Sequence, residues 1–325
     1  MFGHALPVRR GLRAAAFALW LAAGAAGAAA PNAVVLAADQ PVSARINGRD
    51  VQLSLSTGTV DHVTLNGDVA QRLRLSASRV DSIGDLRIGG VVALRGRHNN
   101  GFLRVKGRAQ HQQLYWFPAA SPLPRDGTIG PFAFPHRLVS VVWQSGIAPR
   151  HVWPLVGDID RAAYGLVEID GRWLTMGVDL LSRRSLPLVT ASTGADLAET
   201  LGGQLVGEAW QEEIILGIRR PVRRLQLDRP LIIGPLRFDA VAVRVGGPRD
   251  GTLWLLPGQK PLPDAQDDPD EIVVRGRTAV RRGVARSLML SRAQLAEQGC
   301  TSLTVAKRER LFILACTGRR AGPPA

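Results

Sequence analysis

Ser56, followed by Thr57 and Gly58, and Asp179 are the hydroxyl and the carboxylate whose settings invite chemistry. Each follows an apolar, strand-like segment, 51–55 in one case and 173–178 in the other. A serine becomes a nucleophile only beside a base and a third group that orients that base. His62 follows Ser56 in sequence, but no Gly-x-Ser-x-Gly elbow surrounds Ser56, so that pattern is not met. His4, His62, His98, His111, His136 and His151 show no metal-ligand spacing. There is no glycine-rich phosphate loop, so no metal and no cofactor is expected.

The elements that must position these residues read as mainly β. Val42, Ala44 and Ile46 alternate on one face, and Val51, Leu53 and Leu55 follow the Asn47-Gly48 step, a strong hairpin signal. Many further short strands are separated by turn signals, the pattern of a barrel or sandwich. Helices are few and short: 67–73, 195–201 and 291–298, the last capped by Ser291 with Gln294 closing a capping box. Prolines and the acidic run Asp264, Asp267, Asp268, Asp270 and Glu271 mark residues 256–271 as an exposed loop.

The first thirty residues read as a cleaved signal peptide. Arg9, Arg10 and Arg13 precede an apolar stretch, and Ala26-Gly27-Ala28 supplies a cleavage site. The apolar stretch is short for a membrane span and no later one is longer, so a periplasmic or secreted protein without an integral span is expected. Export makes Cys300 and Cys316 a disulfide pair, facing each other across a hairpin that turns at Lys307-Arg308-Glu309. Losing the three leader arginines takes the net charge from +14 to +11. The basic residues are scattered rather than gathered on one stripe, which argues against a nucleic-acid partner.

The chain also repeats itself. Ile46-Asn47-Gly48-Arg49 matches Ile169-Asp170-Gly171-Arg172, which places Ser56 and Asp179 at equivalent points. The helices at 67–73 and 195–201 match, and Asp126-Gly127-Thr128-Ile129-Gly130 matches Asp250-Gly251-Thr252-Leu253-Trp254. A duplicated β unit follows. Its division is a leader at 1–30, a first lobe at 31–155 and a second at 156–325.

Leu53-Ser54-Leu55-Ser56-Thr57-Gly58 resembles the apolar-apolar-Asp-Thr-Gly loop of retropepsin-type and pepsin-type aspartic peptidases, with Ser56 in the aspartate's place. Asp126-Gly127-Thr128-Ile129-Gly130 resembles the strand that threads beside that loop. The resemblance implies two pseudo-symmetric aspartic-peptidase-like β-barrel lobes. It also implies two carboxylates that share one proton across the lobe interface. Here the carboxylate is absent from the first loop, and Leu180-Leu181 replaces Thr-Gly after Asp179. Ser192-Thr193-Gly194 is an alternative second loop, which would remove both carboxylates; Asp179 fits the spacing better, with Ser192 or Thr193 as a helix cap. The expected function is peptide or protein binding in the inter-lobe cleft, without catalysis. Two alternatives stand beside it: an active endopeptidase pairing Asp179 with Asp61 or Asp126, and a structural envelope protein.

Overall fold

The computed structural model describes residues 32–57, 62–77, 85–88, 91–118, 120, 122–157, 162–245, 272–275 and 286–317. Residues 1–30, expected to be a leader, residues 250–254 and residues 256–271, expected to be a loop, therefore lie outside the described residues. Among the described residues no helix is long and apolar enough to cross a membrane.

The first hairpin joins β2 (Val42–Ile46) to β3 (Arg49–Leu55). Asn47 and Gly48 turn it with φ of 50° and 82°, the left-handed pair that matches strand twist. Val42, Ala44 and Ile46 point inward while Ser43 and Arg45 face water, so the period-2 pattern is a barrel wall with one buried face. After β4 (Val63–Leu65) come α1 (Gly67–Arg72), β5 (Asp85–Ile88), β6 (Val91–Arg95), β7 (Arg97–Val105), β8 (Arg108–Trp116) and β9 (Gly127–Ile129). A barrel closes in the order β2-β3-β9-β4-β8-β7. Closure leaves no open edge, and Ile46, Leu53, Leu55, Val63, Leu103, Leu114 and Ile129 fill its centre.

The second half consists of β12 (Tyr164–Ile169), β13 (Arg172–Asp179), β14 (Leu188–Val189), α2 (Ala191–Leu201), β15 (Gln204–Ile215), β16 (Ile218–Ile233) and β17 (Leu236–Arg244). Then follow β18 (Ile272–Arg275), β19 (Ser287–Ser291) and α3 (Arg292–Glu297). Its strands run β12-β13-β19-β14-β17-β16, the first half's order position for position. The senses also agree: β3 with β9 and β13 with β19 are parallel, whereas β4 with β9 and β14 with β19 are antiparallel. Two expectations change here. The counterpart of β9 is β19, not the segment at 250–254, because β19 fills the slot between β13 and β14. Nor does the second half close as a barrel among the described residues. The free side of β12 takes β11 (Arg150–Val156) and that of β16 takes β15, which makes these strands part of a 12-stranded sheet.

The halves are joined by backbone pairing. β1 (Ala33–Ala37) lies along β10 (Leu138–Val142), which pairs with β20 (Cys300–Ala306). The hairpin continues into β21 (Leu311–Cys316), which pairs with β11. The expected boundary at 155/156 thus falls inside a strand. Cys300 faces Cys316 across this hairpin and the two are disulfide-bonded. The capping box at Ser291 and Gln294 is present on α3.

His136 is buried beside this junction, 5% exposed. Burial, then the positive charges of Arg108 and Lys307, hold its imidazole below the ordinary value of 6.5. Its folded form is therefore neutral where the unfolded chain already binds a proton. Stability contributed by the neutral ring is complete above the unfolded pKa and is lost as pH falls below it. Urea midpoints should show wild type losing stability relative to His136→Leu between pH 7.5 and 5; an unchanged difference would refute this account.

Candidate functional site

The loop that leaves β3 meets the end of β13. Leu55 pairs with Ile129, and the Ser56 N–H donates to the Ile129 carbonyl at 3.0 Å. Val178 pairs with Leu290 and Asp179 with Ser291 in the equivalent parallel ladder. Asp179 therefore ends β13, and Ser56 directly follows the end of β3, the equivalent strand. Thr57 is fully buried and its hydroxyl donates to the Val178 carbonyl, a direct hydrogen bond between the halves. The structure thus brings Ser56-Thr57 and Val178-Asp179 together. Gly58 and Asp61 lie outside the described residues.

Asp179 is already engaged on both oxygens. Oδ1 accepts the backbone N–H groups of Leu181 and Ser182, each at 3.1 Å, the local turn that aspartate forms with the residues after it. Oδ2 accepts from the Arg184 guanidinium at 2.5 Å. The Arg184 side chain is only 7% exposed and that of Asp179 20%. Arg184 Nε donates to Ser182 Oγ at 2.8 Å and lies 3.6 Å from Glu212 on β15. Its own carbonyl accepts from Ser291 Oγ at 2.7 Å. A carboxylate wrapped this way is a fixed acceptor. General-base work would require breaking the ion pair, and sharing a proton would require a second carboxyl in place of Ser56.

Asp126 is equally committed. Its oxygens accept from the Gln52 N–H and from Arg72, both at 2.7 Å, which ties the start of β9 to β3 and α1. The Ser192-Thr193-Gly194 loop is corrected to the first turn of α2, which starts at Ala191 rather than 195. Its N-cap is Thr190, whose hydroxyl accepts from the Thr193 N–H at 3.3 Å, so neither Ser192 nor Thr193 is the cap. Gly194 is there because α2 packs closely on β17: a Cβ would lie 2.5 Å from Val243 Cγ1.

No protein-family model matches this chain, and no curated protein matches it.

The remaining chemistry is sparse. His62 is buried and stacks on Tyr115 with ring centres 4.5 Å apart, and His98 lies against the same tyrosine. Among the described residues no group of three or more His, Cys, Asp or Glu side chains could hold a metal ion. A cavity of about 460 Å³ adjoins α1, lined by Thr64, Asn66, Asp68, Phe117 and Leu123, with Leu216 reaching it from the β15–β16 turn. Sequence reasoning missed Arg184 and Glu212. The available signal was Arg184 five residues after an aspartate whose turn folds back toward it.

Proposed function

We propose that the chain is an exported protein of two aspartic-peptidase-like lobes that binds extended peptide between them without hydrolysing it. The shared strand order of the halves and the Thr57–Val178 hydrogen bond at their junction support the fold assignment. The observation that carries the loss of catalysis is the ion pair between Asp179 and Arg184, next to the Thr57–Val178 bond of a loop that has Ser56 in the aspartate's place. A guanidinium stabilises only the ionised carboxylate, whereas the dyad mechanism requires a shared proton. Extended peptide would be recognised chiefly through backbone pairing at an exposed strand edge, which β15 supplies at the end of the 12-stranded sheet. Export rests on the Arg9–Ala28 leader pattern in the sequence.

Ser56→Asp should therefore fail to generate acid peptidase activity, because Arg184 still holds its partner. The test incubates wild type and Ser56→Asp with a peptide library from pH 3 to 7 and reads both cleavage by mass spectrometry and retention of uncut peptide. Cleavage that disappears in Asp179→Ala would overturn the proposal in favour of a working peptidase. Packing of Leu216 and Ile218 against the first half favours a second reading, a structural envelope protein with its cleft filled. Retention of no peptide at high micromolar concentration would select it.

A further inference from the structure

The β15–β16 hairpin is held along its root, where β16 pairs with β17 from Val222 to Ile233, and it runs on past that pairing to a second fastening at its far end. Most of β15 is solvent-exposed, with Leu205 and Trp210 among the exposed large side chains. At the turn the exposure reverses. Leu216, at φ 51°, and Ile218 are buried with Leu94 of β6, and Phe117, Ala120 and Leu123 of the first half pack against them. Leu216 also forms part of the wall of the cavity beside α1. Four residues before the turn, Glu212 meets Arg184, the same guanidinium that holds Asp179. Trp210 Nε1 donates to the other oxygen of Glu212 at 3.2 Å, which keeps that carboxylate aimed.

Nearer its root the hairpin is irregular on both sides. The β15–β16 register shifts between Val206 and Trp210, around Gly207 at φ 68°, and the β16–β17 register shifts between Gln226 and Leu231. Gly207 has open space where a Cβ would stand. Bulges bend and twist a strand locally, and the β15 bulge ends opposite Val222, the last β16 residue paired with β17, so the ribbon beyond that point can pivot there.

We propose that the β15–β16 hairpin is a strap. Beyond Val222 it pivots at the β15 bulge and is latched over the first-half cavity by an apolar tip, Leu216 and Ile218, and by an ionic clasp, Glu212 to Arg184. Asp179 anchors the clasp: by holding Arg184 it fixes the cation that Glu212 must reach. The position that a peptidase would use for its carboxylate is thereby turned to closing the cavity. Opening the strap would uncover Leu94 together with Phe117 and Leu123 of the cavity wall. The strap follows from the hairpin's geometry alone and stands whether or not the cleft binds peptide.

Amide hydrogen exchange on the full chain tests it, using Glu212→Gln to remove the ionic clasp and Leu216→Asn to remove the apolar one. Asparagine tolerates the left-handed backbone of the turn, so the second variant keeps the hairpin while losing its tip contact. Amides of 210–220 should exchange at least about tenfold faster in each variant, since the distal hairpin then opens as a local unit. The amides of Phe117, Ala120 and Leu123 should follow, while β20 and β21 keep their wild-type rates. Unchanged exchange over 210–220 in both variants would overturn the strap. A rise spread equally over β20 and β21 would overturn it too, since that reports loss of the whole fold.

Discussion

Arg184→Met will destabilise the protein by about 3 kcal/mol, the range for breaking a largely buried ion pair by deleting one partner. The variant keeps the stem's packing but leaves Asp179, only 20% exposed, with two backbone N–H donors and no countercharge. Adding Asp179→Asn should restore part of the loss, because position 179 then carries no unpaired charge while Glu212 still lacks its cation. Urea denaturation of the four proteins in the cycle measures both effects. An Arg184→Met midpoint equal to that of wild type would show the pair to be an incidental contact.

Removing the disulfide will have a comparable effect. Cys300 and Cys316 are fully buried and sixteen residues apart, and the cross-link restricts the unfolded chain by roughly 3 kcal/mol in the chain-entropy model. Alanine at both positions avoids burying an unsatisfied polar atom. The double variant should melt about 5 °C lower, the shift expected of that free energy in a chain of this size. The hairpin it staples lies between β10 and β11, so its loosening reaches both halves. A melting temperature within about 1 °C of wild type would contradict this cost.

Local chemistry made much of the fold legible. Hairpins at Asn47-Gly48 and Asp170-Gly171 need two left-handed residues, and few sequences supply them cheaply. Val42, Ala44 and Ile46 alternate because one face of β2 is barrel interior and the other is solvent. Ser291 and Gln294 satisfy the first N–H groups of α3 within four residues, so that cap was visible too. The start of α2 was not. Ser192, Thr193 and Gly194 have the types of a loop, yet Thr190 takes the cap and close packing on Val243 selects the glycine. The slot beside β13 also depended on distance. Residues 250–254 carry the better sequence match, but β19 fills the slot in a parallel ladder of its own. Parallel pairing joins segments far apart in sequence and leaves no turn signature to read.

The sequence by itself determined the β character, the duplicated hairpin units, the disulfide and the absence of an aspartate at position 56. Each is a matter of residue type and short spacing. The tertiary structure decided what became of Asp179. A carboxylate acts according to which charges face it, and Arg184 and Glu212 come together there only because the turn after β13 and the distal end of β15 converge.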